Sequence, residues 1–292
     1  MIKDYVFPKS VEEAVDVLRE NDGGAVVISG GTDLIIRLEE EAVTAEVLVD
    51  VTRIDGFRDI AFEDGLVVIG AGVTMADIHE NERIASNVGS LAKAAGSVGS
   101  AQIRNSATLT GNIVNAQPAA DSAVMAAALG AELTVRGAGY TKTVPVQDAY
   151  LGFGQSVIDN RKEVVTKIVF KEPQGNQGTG YARMSKRKAL SRPTLNVGAM
   201  ISVSGGAIEW ARITMGPVGV GPVRALEAEN FLAGKEPSEA NLKEAGILAA
   251  KDANPRSSLL RGPREYRLAV LPSLVTKALN EAIDEIKTKG GM

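Results

Sequence analysis

The chain has 292 residues, with 32 lysines and arginines against 36 aspartates and glutamates, so its formal net charge is −4. This balance argues against a nucleic-acid-binding protein, whose surface would be basic. The absence of cysteine excludes disulfides, thiolate nucleophiles and iron–sulfur clusters bound by this chain. The single histidine, His79, cannot build a metal site alone. If the chain is an enzyme, an organic cofactor is expected to supply the chemistry.

Length and hydropathy indicate about two domains of ordinary globular composition, at roughly 100 to 200 residues per domain. The N-terminal segment MIKDYVFPKS does not begin with the basic and then apolar pattern of a signal peptide. No apolar run approaches the roughly 18 residues of a membrane-spanning helix. These features favour a cytoplasmic protein without a membrane span.

The first 55 residues predict a compact αβαβ unit. Ser10 is a good N-cap for an amphipathic helix that begins at Val11. The apolar run 25–28 predicts a buried strand that leads into Gly30 and Gly31, a helix or turn follows, and residues 45–52 predict a second strand.

From residue 56 to residue 173, strands are predicted at DGLVVIGAGVT, AELTV and VVTKIVF, and helices at MADIHENERIA, SLAKAAGSV and AADSAVMAAALG. The following QGNQGTG contains three glycines and no bulky apolar residue, which predicts a linker and a domain boundary. Beyond it, two or three antiparallel strands are expected, with a hairpin turn at Gly205-Gly206. The remainder is mostly helical, ending in a long helix from about Glu265 to Lys287.

Two segments are candidate ligand-binding loops. ISGGTDL follows a strand, and its glycines can present backbone N–H groups to an anion, although a purely structural strand-to-helix turn explains them equally well. The stretch from Gln102 to Ala116 is rich in small hydrogen-bonding side chains and precedes Asp121. It is either a polar loop that satisfies a ligand or a solvated surface loop.

Five segments together resemble the FAD-binding (medium) subunit of the molybdenum hydroxylases, a family that includes xanthine, aldehyde and carbon monoxide dehydrogenases. They are ISGGTDL, QIRNSATLTGNIVNAQPAAD, KRKAL with NVGA behind it, ARITMGPVGVGPVRALEAE and RGPREYRLAVL. The resemblance covers nearly the whole chain in the same order.

The resemblance implies an α+β protein with two domains. Residues 1–173 would form an FAD-binding domain of the PCMH/vanillyl-alcohol-oxidase type, with two α/β subdomains at about 1–55 and 56–173. Residues 180–292 would form a small C-terminal domain with a three-stranded antiparallel sheet and helices. QGNQGTG agrees with that division.

The resemblance also implies that both glycine-bearing loops contact FAD, with Gly30-Gly31-Thr32 and Thr110-Gly111-Asn112 at its pyrophosphate. Asp121 would contact the flavin nucleotide, and Val165, Tyr181 and Lys186 would lie toward the isoalloxazine. The full predicted set is Val27, Ile28, Ser29, Gly30, Gly31, Thr32, Asp33, Leu34, Ala107, Thr108, Thr110, Gly111, Asn112, Asp121, Val165, Tyr181 and Lys186. No side chain is assigned a catalytic or metal-binding role.

The sequence departs from the family pattern at two positions. Thr110 stands where the family usually has glycine, so a Cβ and a hydroxyl must fit beside the cofactor. Ala182 stands where some relatives carry a lysine near the flavin, a role that Lys186 could take over. Lys186, Arg187 and Lys188 form a basic run that is either simply solvated or steadies a reduced flavin.

By resemblance, the chain carries electrons from iron–sulfur clusters through FAD to NAD⁺ or another acceptor. A large molybdopterin-binding subunit and a small subunit with two [2Fe–2S] clusters would be its partners, in a dimer of heterotrimers. A xanthine or purine dehydrogenase is the favoured complex. The alternatives are a carbon monoxide, aldehyde or aromatic-substrate dehydrogenase, a flavin-free structural subunit and a stand-alone FAD oxidoreductase.

Overall fold

The computed structural model of the chain describes residues 2–187 and 190–291. Its elements form three successive sheet-containing units, each with its own buried core. The fold is therefore of the mixed α+β class that the sequence predicts.

The first unit is a three-stranded parallel sheet in the order β1-β3-β2, flanked by two helices. Its elements are β1 (Asp4–Val6), α1 (Val11–Glu20), β2 (Ala25–Ile28), α2 (Leu34–Glu39) and β3 (Val47–Asp50). The Ser10 hydroxyl accepts a hydrogen bond from the Glu13 N–H at 3.1 Å, which confirms the predicted helix start. The αβαβ prediction omits β1. Its three residues are too few to show the alternation of apolar and polar side chains that marks a strand, and only the pairing with β3 defines it.

The second unit is a five-stranded antiparallel sheet in the order β4-β5-β10-β6-β7, with helices packed against it and a separate hairpin, β8-β9. Its strands are β4 (Ile60–Glu63), β5 (Leu66–Gly70), β6 (Glu132–Gly137), β7 (Tyr140–Pro145), β8 (Tyr150–Gly152), β9 (Gln155–Ser156) and β10 (Val164–Lys171). Its helices are α3 (Met75–Glu80), α4 (Glu82–Asn87), α5 (Gly89–Gly96), α6 (Ala101–Arg104), α7 (Leu109–Val114) and α8 (Asp121–Ala128). The polar stretch from Gln102 to Ala116 is thus not a plain surface loop, since it contains most of α6 and all of α7.

The third unit is an antiparallel sheet in the order β11-β12-β13-β14, covered by three helices. Its elements are β11 (Gln177–Met184), β12 (Leu195–Ser204), β13 (Ala207–Gly216), β14 (Val223–Arg224), α9 (Leu226–Leu232), α10 (Glu239–Ala249) and α11 (Arg264–Thr288). Three strands are long, as expected, and a two-residue fourth strand is added at the edge. The hairpin at Gly205-Gly206 is confirmed, because both residues have positive φ between paired strands.

The linker interpretation of QGNQGTG is wrong for its second half. Residues 177–180 begin β11, and Gly178 and Gly180 face α11. A Cβ built on Gly178 would lie 2.0 Å from the Ala282 carbonyl oxygen, and one on Gly180 would lie 1.9 Å from that of Ala278. These glycines therefore allow a strand to touch a helix backbone, and the connection between the second and third units shortens to about residues 172–176.

The small-residue helix α8 joins the second unit to the third. The Thr214 hydroxyl of β13 donates to the Val124 carbonyl of α8 at 2.6 Å. A Cβ on Gly198 of β12 would lie only 3.0 Å from the Ala128 Cβ. The alanine-rich composition of α8 is thus explained by close packing against this sheet.

Candidate functional site

The first glycine loop connects the end of β2 to the start of α2. Gly31 has φ +68°, a left-handed conformation that favours glycine. Among the described residues, no acceptor bonds to the backbone N–H groups of Gly30, Gly31 or Thr32. The loop therefore presents a row of free donors, which is the arrangement that suits a phosphate-type anion.

The second loop lies between α6 and α7. The Thr108 hydroxyl caps α7 by accepting a hydrogen bond from the Gly111 N–H at 3.0 Å. The Ala107 carbonyl accepts from the Met75 N–H at 2.8 Å, which ties the loop to the start of α3. Local capping and this long-range bond fix the backbone of the segment.

Gly30 brings the two loops into backbone contact. A Cβ on this residue would lie 2.0 Å from the Ser106 carbonyl oxygen and 3.0 Å from the Ala107 Cα. Because both neighbours are backbone atoms, no side-chain rotation can make room. The two segments that the sequence singles out separately are thus parts of one site.

The first loop, the second loop and the start of α7 form the walls of a cleft that is partly open to solvent. The predicted residues that line it are Val27, Ile28, Ser29, Gly30, Gly31, Thr32, Asp33, Leu34, Ala107, Thr108, Thr110, Gly111, Asn112 and Val165.

The cleft also contains residues that were not predicted as contacts. They are Arg37, Val51, Ala71, Val98, Ile103, Val114, Asn115, Ile158, Asn160 and Glu163. Ile103, Val114 and Asn115 belong to the polar stretch already identified, so extending the second loop on both sides would have found them. The 158–163 segment carries no sequence signal, and it reaches the first loop through tertiary contacts such as the Val27 N–H bond to the Asn160 carbonyl at 2.9 Å.

Three buried polar atoms on the cleft wall have no hydrogen-bond partner within the described chain. They are Ser29 Oγ, Thr110 Oγ1 and Asn112 Oδ1. Buried polar groups in native proteins are nearly always paired, and an unpaired one is costly. Ser29 follows β2 on the first loop, whereas Thr110 and Asn112 belong to α7, and the buried Thr110 side chain is accommodated at this wall.

The electrostatics of the cleft depend on few charged side chains. Arg37 is the one cationic residue among the described lining residues. Burial raises the pKa of Glu163, but hydrogen bonds from Lys142, Tyr140 and the Asp159 N–H outweigh it and leave that pKa below its ordinary value. Glu163 is therefore an ionised, internally paired carboxylate.

The structure places Asp121, Tyr181 and Lys186 outside the cleft lining. The Asp121 Oδ1 atom accepts hydrogen bonds from the Tyr181 hydroxyl at 2.5 Å, Arg183 Nε at 3.1 Å and Asn196 Nδ2 at 2.9 Å. Asp121 is the first residue of α8 and faces the third sheet, so it and Tyr181 pair with each other between the units. Lys186 is exposed, and Lys188 of the same basic run lies outside the described residues.

The lone histidine, possible metal-ligand clusters and possible membrane spans were also considered in the described residues. His79 Nδ1 lies 3.0 Å from the Ala92 carbonyl oxygen and packs against Gly96, in agreement with a structural role. Residues 2–187 and 190–291 contain no cluster of three or more potential metal ligands. Within the same ranges, no helix has the length and apolar character needed to cross a bilayer.

A parallel αβ unit, an antiparallel unit and a cleft whose first loop has free backbone N–H groups are features expected of a protein that binds a phosphate-bearing organic cofactor. The family model described as "FAD binding domain in molybdopterin dehydrogenase" matches residues 1–171, and the "CO dehydrogenase flavoprotein C-terminal domain" matches residues 181–282. The chain belongs to this family. It is the FAD subunit of a molybdenum hydroxylase, and so part of an oxidoreductase.

Two relatives and one solved structure are similar to this chain over almost its whole length. The carbon monoxide dehydrogenase medium chain of Hydrogenophaga pseudoflava is 29% identical over 280 residues, covering 96% of both chains. The xanthine dehydrogenase FAD-binding subunit of Escherichia coli O157:H7 is 26% identical over 275 residues, covering 94% of both. The structure of the H. pseudoflava carbon monoxide dehydrogenase that lacks the Mo-pyranopterin moiety superposes with a TM-score of 0.91 at 28% identity, covering 98% of both chains.

Proposed function

We propose that FAD lies in the cleft described above, with its pyrophosphate on the Gly30-Gly31-Thr32 loop and on the Thr110-Gly111-Asn112 segment, which the structure places in α7. The free N–H groups of Gly30, Gly31 and Thr32 support this assignment, because backbone donors can hold a phosphate without a basic patch. Arg37 adds one positive charge to the lining of the cleft. Val27, Ala107 and Val165 contribute apolar surface, which a flavin or adenine ring can contact.

The observation that carries the proposal is the set of three unpaired buried atoms on the cleft wall. The Ser29 and Thr110 hydroxyls can each donate one hydrogen bond, and the Asn112 Oδ1 atom can accept one. A ligand with phosphate oxygens and hydroxyl groups would satisfy both kinds. This favours an FAD-loaded chain over the flavin-free structural subunit.

FAD, when bound, supplies a redox centre that can exchange electrons with both one-electron and two-electron partners. The side chains of this chain hold that centre and exclude water from it, and none is assigned to bond chemistry. We propose that the electrons come from [2Fe–2S] clusters on a small partner subunit, after a large molybdopterin-binding subunit has oxidised the substrate. That division of labour agrees with a chain that has no cysteine.

The oligomeric state, the electron acceptor, the identity of the complex and the domain limits are proposals as well. We propose a dimer of heterotrimers, NAD⁺ or another small molecule as acceptor, and a xanthine or purine dehydrogenase as the complex. Identities of 29% to a carbon monoxide dehydrogenase chain and 26% to a xanthine dehydrogenase chain do not favour the purine complex over the alternatives. We further propose domain limits at residues 1–173 and 180–292, with Gln177–Thr179 added to the second domain because they begin β11.

The test is purification of the chain alone and with its partner subunits. We expect a flavin absorbance spectrum and about one FAD per chain, and absence of both would contradict the proposal. The complex is then assayed with xanthine, carbon monoxide, an aldehyde and nicotinate as separate substrates, each with NAD⁺ and with an artificial dye. Turnover of xanthine with NAD⁺ supports the purine assignment, whereas turnover of another substrate alone replaces it.

A further inference from the structure

A turn at residues 258–262, just before α11, carries two leucines that no part of the described chain covers. Leu259 is 101% exposed and Leu260 is 73% exposed. Single exposed apolar side chains are common on protein surfaces. Two successive leucines at the tip of one turn are unusual, because a contiguous exposed apolar patch generally marks a surface that another molecule covers.

Hydrogen bonds hold this turn in one shape. The Ser258 carbonyl accepts from the Gly262 N–H at 2.8 Å, and the Ser258 N–H donates to the Gly262 carbonyl at 3.1 Å. The Ser258 hydroxyl accepts from the Leu260 N–H at 3.2 Å. The Ser257 hydroxyl accepts from the Arg264 N–H at 3.0 Å, which ties the turn to the first residue of α11. Because the turn is already ordered, its leucines can bind a partner at a lower entropic cost.

Two half-exposed aromatic rings adjoin the turn. The Arg256 guanidinium lies over the Phe153 ring at 4.4 Å, which places the tip of the β8-β9 hairpin beside the segment that leads into the turn. A Cβ built on Gly262 would lie 3.3 Å from the Tyr266 ring. We call the surface formed by these exposed side chains the leucine-turn surface. Its members are Phe153, Leu259, Leu260 and Tyr266.

The charge around the leucine-turn surface is positive. Residues 254–264 contain three arginines and no carboxylate, and residues 149–156 carry no charge. Within residues 2–187 and 190–291, none of Arg256, Arg261 and Arg264 forms an ion pair. Aromatic residues and arginine are enriched in protein interfaces, where potentials of opposite sign face each other. The matching partner surface is therefore apolar at its centre and acidic around it.

The leucine-turn surface lies beside one end of the cofactor cleft. The Gly154 N–H, next to Phe153, donates to the Ala116 carbonyl at 2.9 Å. Ala116 directly follows Asn115, which lines the cleft. A molecule that covers Phe153 thus approaches the cleft. The subunit that passes electrons to FAD has to come close to it, because electron transfer slows steeply with distance.

We propose that the leucine-turn surface docks the small [2Fe–2S] partner subunit, through an apolar patch with carboxylates around it on that subunit. This rests on the proposed function, from which FAD and its electron donor are taken. Leu259 and Leu260 enter the apolar patch and supply affinity by burying apolar area. Arg256 and Arg264 face the carboxylates and mainly raise the association rate.

The experiment measures binding of the purified small subunit to the FAD-loaded chain by surface plasmon resonance, at low and at high salt. We expect the double variant Leu259→Ser/Leu260→Ser to weaken the affinity at least about tenfold, because less apolar area is buried. Arg256→Gln should lower the association rate about threefold at low salt and change it little at high salt, where charges are screened. The circular dichroism spectrum and the FAD content should not change, since the replaced side chains are exposed.

Two variants of the first unit are the matched controls. Ile36→Ser removes an exposed apolar side chain from α2. Arg19→Gln removes an exposed arginine of α1 that pairs with Asp16. Each should leave the affinity and the association rate unchanged.

Two results would overturn the proposal. The first is an unchanged affinity for the small subunit in the double leucine variant. If that variant instead loses binding to the large subunit, or loses self-association in sedimentation, the surface belongs to that subunit or to a second copy of this chain. The second result is no binding of the small subunit to the unmodified chain. Failure of the proposed function is distinguished by a missing flavin spectrum, and the same variants then test the docking on the apoprotein.

Discussion

Single residues decide whether the two loops can form a cofactor site. Gly30 is required because a Cβ would collide with the Ser106 carbonyl. Thr110 departs from the family pattern, yet its side chain is accommodated, with only 8% of the residue exposed and its hydroxyl unpaired at the cleft wall. A buried hydroxyl without a partner costs about 1–3 kcal/mol. The apoprotein therefore carries a penalty that the proposed hydrogen bond from Thr110 to FAD would remove.

Replacing Thr110 with valine separates the cost of the unpaired hydroxyl in the apoprotein from the contribution of that hydroxyl to FAD binding. Valine keeps the shape and removes the hydroxyl, so we expect the free energy of unfolding of the apoprotein to rise by about 1 kcal/mol. FAD affinity should fall about tenfold, because a hydrogen bond to the cofactor is lost. Denaturant unfolding and flavin fluorescence titration measure the two quantities. Thr110→Ser keeps the hydroxyl and should retain affinity, and equal losses of affinity in both variants would contradict the expectation.

Glu163 makes the stability of the cleft wall depend on pH. The carboxylate is 5% exposed and accepts from the Tyr140 hydroxyl and from Lys142 Nζ, both at 2.6 Å. Its pKa is lowered below the ordinary 4.5, so its ionised form stabilises the native state. That contribution is present above the unfolded-state pKa and is lost as the pH falls through the lower, folded-state pKa.

We therefore expect Glu163→Gln to lower the free energy of unfolding by about 1–2 kcal/mol at pH 7. The deficit relative to the unmodified protein should shrink as the pH falls from about 4.5 to the lower, folded-state pKa, because the unfolded state takes up its proton first. It should be small once the native carboxylate is protonated as well. Urea unfolding of both proteins at a series of pH values measures this difference in the free energy of unfolding. The exposed Glu20→Gln is the control, and a deficit that stays constant with pH would show that charge is not the cause.

At the scale of elements, glycines of one short segment have opposite roles. Gly175 has open space around its Cβ position, whereas Gly178 and Gly180 lie against the backbone of α11. The glutamates of α11 strengthen that contact, since Glu285 accepts from the Thr179 N–H at 2.7 Å. The strand and helix are thus held at backbone distance by residues that resemble a flexible linker.

This difference gives a matched pair of variants. Gly180→Ala should lower the free energy of unfolding by about 2–3 kcal/mol, because the added methyl forces β11 away from α11. Gly175→Ala should change it by less than about 0.5 kcal/mol, as for an ordinary surface position. Thermal and denaturant unfolding measure both. If both variants change the free energy of unfolding by the same small amount, the whole segment behaves as a flexible linker and the packing role of Gly180 is wrong.

At the scale of the whole molecule, Asp121 links the second unit to the third. Its three hydrogen-bond donors all come from β11 and β12, and the Arg183 guanidinium also bonds to the Ser185 hydroxyl at 2.7 Å. Burial raises the pKa of Asp121, and the charge of Arg183 opposes that rise. The packing of the units thus depends on a buried and mutually compensated pair.

A double-mutant cycle tests this link. Arg183→Met and Asp121→Asn should each lower the free energy of unfolding by about 3 kcal/mol, because each leaves a buried partner uncompensated. The double variant should lose less than the sum by at least about 1 kcal/mol. The exposed pair Arg19 and Asp16, changed in the same way, should show a coupling below about 0.5 kcal/mol. Strict additivity at Asp121 and Arg183 would contradict the proposed link.

The sequence by itself determined the features that depend on neighbouring residues. Ser10 caps α1, Gly205-Gly206 turns the hairpin, and the terminal helix begins and ends within a residue or so of the predicted limits. The two loops were also identified in sequence, because glycine and small polar residues have local conformational reasons to occur there. The family followed from motifs that extend along most of the chain.

The tertiary structure alone decided which of these segments meet. It assigned Asp121 and Tyr181 to the contact between units, brought residues 158–163 to the cleft, and made Gly178 and Gly180 packing residues. Each of these is a contact between residues distant in sequence, and local propensity carries no information about such contacts until the chain has folded.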